Sequence, residues 1–124
     1  MNSRPAIVSI EDTTESDGAH VVVTLDWKDH TVRGEAIGPE EGLSRLAGEA
    51  TLSAVSTILG GGPALELLAL ATADLGSESV ALAQVRLGDG DVLVGSALER
   101  DRDPRLAAAR AVMDAINRRI SRHL

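Results

Sequence analysis

At 124 residues the chain is long enough for one hydrophobic core and too short for two, and with no cysteine it has neither a disulfide scaffold, nor thiolate-held metal, nor thiol catalysis. Twelve basic against 19 acidic residues give a net charge of −7, and Trp27 is the lone aromatic, so neither binding to a nucleic-acid backbone nor base stacking is expected. No apolar run reaches the ~18 residues of a membrane span, and Met1-Asn2-Ser3-Arg4-Pro5 lacks the apolar region of a signal peptide, so a cytoplasmic protein without membrane contact is expected.

Ala6, Val8 and Ile10 alternate with polar neighbours and predict a strand near 5–12. Glu11 to Gly18 reads as a polar turn. Val21, Val23, Leu25 and Trp27 alternate as a second strand. Lys28-Asp29-His30 then turns the chain into a third, 31–37, with Val32, Gly34 and Ala36 on one face and Arg33 and Glu35 on the other. Gly38-Pro39 opens a helix, proline standing where its missing N–H costs nothing and Glu40 and Glu41 at the positive end of the dipole. Leu43, Leu46, Ala47, Ala50, Ala54, Val55 and Ile58 form its apolar stripe, and Gly60-Gly61-Gly62-Pro63 stops it.

The plan then repeats. Strands are expected near 65–74, 79–87 and 92–99, the last two joined by Gly88-Asp89-Gly90-Asp91. The strands at 65–71 and 92–98 are apolar on both faces, so each should be central in the sheet or covered by a partner. Asp103-Pro104 starts a second helix that runs to about 122, with Arg118, Arg119, Arg122 and His123 at its negative end. Sliding the chain by 61 positions sets Gly34 on Gly95, Ala36 on Ala97, and Ala47, Ala50 and Ala54 on Ala108, Ala111 and Ala115. The earlier strands align best at 60, because the second hairpin is one residue longer. One domain, 1–124, built from repeats at 4–60 and 64–122, is expected.

The run Gly34-Glu35-Ala36-Ile37-Gly38-Pro39 enters the first helix, and Gly95-Ser96-Ala97 leads to Asp103 and a helix closing on Ala115-Ile116-Asn117. In these motifs, over about residues 4–122, the chain resembles the C-terminal regulatory (dimerisation) domain of 2-isopropylmalate synthase. The resemblance implies an α/β (α+β) fold of two strand-strand-strand-helix units, antiparallel strands with helices packed on one side, and an internal pseudo-twofold. It also implies a homodimer, and a small-metabolite site (amino acid or keto acid) that carries over to Gly34, Ala36, Ile37, Gly38, Pro39, Gly95, Ala97 and Asp103. Ala36 stands in place of the family's second glycine, Ile37 where a polar residue is usual, and Gly42 where an alanine follows the Gly-Pro. Two extra residues separate Gly95 from Asp103, and the synthase's catalytic barrel has no counterpart here.

No other motif points to chemistry. His20, His30 and His123 lack partners at metal-ligand spacing, and the acidic run at 11–17 lacks the glycine and the final glutamate of a calcium loop. Gly60–Gly62 follows a helix rather than preceding one, so it is no phosphate loop. Neither a cofactor, nor a metal, nor a catalytic residue is expected, and the chain reads as a non-enzyme. Two functions remain: a free-standing metabolite-sensing dimerisation domain, or a structural or protein-interaction module with the same fold and no ligand site. Ile37 divides them, since an apolar side chain suits an apolar ligand or a filled core better than a zwitterion.

Overall fold

The computed structural model describes residues 4–88, 90–100 and 102–120. Its elements follow the order β1 (Ala6–Glu15), β2 (Gly18–Trp27), β3 (His30–Gly38), a 3₁₀ turn (Glu40–Gly42), α1 (Leu43–Ile58), β4 (Leu65–Leu75), β5 (Glu78–Leu87), β6 (Asp91–Leu98) and α2 (Pro104–Ile120). The strands form two separate antiparallel sheets, β1-β2-β3 (sheet A) and β4-β5-β6 (sheet B). α1 packs on β2 and β3, α2 on β5 and β6, and the helices pack on each other. Each helix also reaches the other unit, α1 touching β4 and α2 touching β1. Buried residues of both units join in one core: Val21, Val23 and Leu25 from β2, Val85 from β5, Val55 from α1, Val112 and Ile116 from α2.

The duplication is visible in the backbone. A bulge interrupts β1 between Ile7 and Ser9, and another interrupts β4 between Leu67 and Ala69, 60 positions on. Val23 pairs with Gly34, as Ala83 pairs with Gly95. The two helices also sit on their sheets through the same atoms. A Cβ added to Gly34 would lie 2.0 Å from the Ala50 carbonyl oxygen and 2.4 Å from the Ala54 nitrogen. One added to Gly95 would lie 2.3 Å from the Ala111 oxygen and 2.2 Å from the Ala115 nitrogen. Each glycine is thus the seat of a helix whose alanine stripe brings backbone onto backbone. Gly48 plays a related part between the helices, where a Cβ would come within 3.2 Å of Val112 Cγ2.

Three expectations change. The polar run at 11–18 is not one long turn: β1 continues through Glu15, paired with Gly18, and only Ser16 and Asp17 turn. The stretch is largely exposed because β1 is the edge strand of sheet A and α1 packs on β2 and β3, so polarity there reflects solvent and not chain reversal. Pro39 stands one place earlier than expected, extended at ψ 142° as the cap of the 3₁₀ turn, and α1 proper begins at Leu43. The strands read as apolar on both faces are not central: β4 and β6 are the edges of sheet B. The end of α1 follows its sequence, with Leu59 N–H donating to the Val55 carbonyl at 2.9 Å and Gly60 at φ 64°. Asp89, Arg122 and His123, which figure in the predicted hairpin and helix end, lie outside the described residues.

Candidate functional site

The residues carried over from the resemblance fall into two matching groups. In β3, Gly34, Ala36 and Gly38 face inward, paired with the buried Val23, Val21 and Ala19. Gly34 is filled by the α1 backbone, Ala36 packs against the core, and a Cβ on Gly38 would meet Leu46 Cδ2 at 2.8 Å. The small residues therefore make room for the chain's own helix. Ile37 points the other way, 79% exposed on the outer side of sheet A, beside a shallow open depression lined by Glu15, Asp17, Gly18, Ala19 and His20. Pro39 is exposed at the strand-to-helix corner. In β6, Gly95 and Ala97 repeat the inward arrangement against α2. The two groups belong to different sheets, each under its own helix.

Asp103 caps α2. Its Oδ1 accepts from the backbone N–H of Arg105 at 3.1 Å and of Leu106 at 3.4 Å. The Arg105 guanidinium also donates to both Asp103 oxygens and reaches across to Asp12 of β1, tying the second helix to the first unit. That hydrogen bond from Arg105 holds the Asp103 carboxyl below the usual carboxylate range, partial burial opposing it and the two backbone N–H bonds assisting. A pKa depressed in the folded state adds stability above the unfolded value, and that stability is lost as pH falls through the folded one. Asp103→Ala is therefore expected to lower stability by about 1 kcal/mol at neutral pH. The gap between variant and wild type should close in strong acid, which denaturant unfolding followed by circular dichroism at both pH values checks.

Two further depressions lie where each helix meets the other unit. One is lined by Arg45, Glu49 and Ser53 of α1 with Leu65 and Glu66 of β4; the other by Leu106 and Arg110 of α2 with Val8 and Ile10 of β1. In the first, Arg45 donates to the Leu67 carbonyl at 2.9 Å, at the bulge of β4. Among the described residues no three His, Asp or Glu side chains converge on one point.

The feature that sequence reasoning had not located is the outer face of sheet B. Strand alternation and register place five rows there: Glu66, Arg86 and Val92; Ala69, Gln84 and Val94; Ala71, Leu82 and Ser96; Ala73, Val80 and Leu98; and Leu75 with Glu78 at the hairpin end. Leu82 is 37% exposed, Val92 47% and Val94 68%, and the three alanines are exposed as well. Charge enters at the two ends, at one where Arg86 Nη1 donates to Glu66 Oε1 at 3.1 Å and at the other with Glu78. The signal in sequence was the doubly apolar character of the two strands, which showed that something covers them and not which face. Compared with known proteins, the chain matches no family model and no curated protein.

Proposed function

We propose that the protein is a non-catalytic association module that works as a homodimer, with the outer face of sheet B as its docking surface. The observation that carries this reading is a comparison internal to the molecule. At the positions matching the middle three rows of that face, sheet A holds Ser9, Thr24 and Arg33; Glu11, Val22 and Glu35; and Thr13, His20 and Ile37. The same fold therefore tolerates a polar outer face, including an arginine at the place of Val94 and glutamates at the places of Ala71 and Ser96. Folding alone does not require the apolar set on sheet B, and an apolar patch that folding does not require points to association.

This reading keeps the dimerising half of the resemblance to the synthase regulatory domain. It sets aside the metabolite-sensing half, because the inward side of Gly34–Pro39 is occupied by α1 and Leu46. Of the two functions left open by the sequence, the interaction module is the one this packing supports.

Val94→Arg tests it, since Arg33 shows that the backbone carries arginine at this place. Light scattering across the micromolar range should show a concentration-dependent dimer for the wild type. For the variant, association should weaken by about 2 kcal/mol or more, roughly thirtyfold, because an unpaired guanidinium would be desolvated. Ile37→Arg on sheet A should leave the dimer unchanged. A wild type that stays monomeric, or a Val94→Arg protein that associates like the wild type, contradicts the proposal.

A further inference from the structure

Resting on that reading, we infer that the occupant of the face is a second copy whose sheet B packs face to face about a twofold axis running across the strands, through the row of Ala71, Leu82 and Ser96. In that arrangement each strand lies over its own counterpart, and Arg86 of either copy meets Glu78 of the other.

Charge on the central strand leads there. Along the outer side of β5 the order is Arg86, Gln84, Leu82, Val80 and Glu78. A base and an acid thus stand at equal distances from Leu82, each about 13 Å away at ~3.3 Å per residue. Turning such a row end over end brings each charge onto its opposite, so the face is complementary to itself. An axis along the strands would instead set Arg86 on Arg86 and Glu78 on Glu78. β5 is the middle strand, so these charges lie within the contact and not on its flanks.

The neighbouring polar groups are accommodated. Glu66 keeps its own Arg86 at 3.1 Å and lies over Leu75 of the other copy, at the rim where water reaches it. Arg100 is exposed just past β6, at the end of the sheet that holds Glu78, because Glu99 N–H donates to the Ser79 carbonyl at 2.9 Å. Each end of the contact is then neutral, with two carboxylates and two guanidinium groups. Gln84 lies over Val80 of the other copy, one row from the Glu78 carboxylate to which its amide can donate.

Shape and area complete the arrangement. Over β4 the alanines 69, 71 and 73 meet one another and admit close approach, whereas over β6 Val94 meets Leu98 and holds the sheets further apart. The result is a wedge, which a twofold across the strands gives equally to both copies. The patch is roughly 14 Å wide and 30 Å long, so only nearly aligned strands, a usual way for sheets to stack, cover all of it. Its footprint of about 400 Å² per copy is around half of a standard interface side of ~800 Å², which fits a reversible dimer and not a permanent one.

Charge reversal and crosslinking test it, each variant being first checked for wild-type circular dichroism and melting temperature. Glu78→Arg sets Arg86 against a like charge at both ends and should weaken the dimer about tenfold by light scattering, and adding Arg86→Glu to the same chain should recover most of that loss. An axis along the strands gives neither effect, since like charges would face like in every case. The chain has no cysteine, so an introduced thiol is unique. Ala71→Cys, exposed in the middle row, should crosslink readily to itself through a short bis-maleimide, and mixed with Ser96→Cys it should give only a trace of product joining positions 71 and 96. Equal dimer strength for wild type and Glu78→Arg, no recovery in the double variant, or strong crosslinking of 71 to 96 overturns the arrangement while the dimer stands. A monomeric mass at every concentration overturns the dimer as well.

Discussion

Gly34→Ala and Gly95→Ala are each expected to destabilise the protein by roughly 3 kcal/mol or more, far beyond what one methyl group costs at an open site. The reason is that the new carbon would have to share space with backbone, not with a side chain that can rotate away. At Gly34 it would meet the Ala50 carbonyl at 2.0 Å, and at Gly95 the Ala115 nitrogen at 2.2 Å. Either helix must lift off its sheet to admit it, and the packing beneath is lost along the helix. Gly42→Ala is the control: nothing lies within 4 Å of its added carbon and its φ is −103°, so it should fall within ~0.5 kcal/mol of wild type. Urea unfolding followed by circular dichroism measures all three. Equal costs at Gly34 and Gly95 would support the equivalence of the two units. A cost below ~1 kcal/mol at either would show that the helix does not sit there.

Leu25→Ala and Ile116→Ala are expected to lower stability by about 3 kcal/mol each, the usual size for a large aliphatic side chain removed from a packed core. Both are fully buried, one in β2 and one in α2. Because they belong to a single core that spans the two units, either change should move one unfolding transition of the whole chain. Trp27 makes this measurable, since it is the only tryptophan and lies at the end of β2 in the first unit. Ile116→Ala, in the second unit, should shift the Trp27 fluorescence transition and the circular dichroism transition together. If fluorescence stayed at the wild-type midpoint while circular dichroism moved, the units would be folding separately.

Much of this architecture is legible in the sequence because period and punctuation agree. The alternation at Val21, Val23 and Leu25, the alanine stripes, Gly60 after α1, and Asp103-Pro104 before α2 each have a local cause, and each is found in place. Glu11 to Glu15 misleads for a local reason too: an edge strand that α1 does not cover carries polar residues at successive positions and has no alternation to show, so composition resembles a turn. The site is harder to read. Strand parity puts Gly34 and Ala36 on one face and Arg33 and Glu35 on the other, and the structure has them so. Parity does not say which face a helix will cover. Small residues suit a bound ligand, another chain or an internal helix equally well, and only the distances to Ala50 and Ala54 decide for the helix. The same limit applied to sheet B. Apolar residues on both faces of β4 and β6 were evident, but the polar counterparts on sheet A gain their meaning only once the two registers are laid side by side.

The central claim, that the outer face of sheet B is covered in solution while that of sheet A is not, is tested most directly by the reactivity of a single thiol on each. Val94→Cys and Arg33→Cys occupy matching places in the two units, both exposed within one copy. Labelling with a small maleimide should slow for Val94→Cys as protein concentration rises through the micromolar range, and keep a constant rate for Arg33→Cys. Rates that stay alike and independent of concentration would contradict the account.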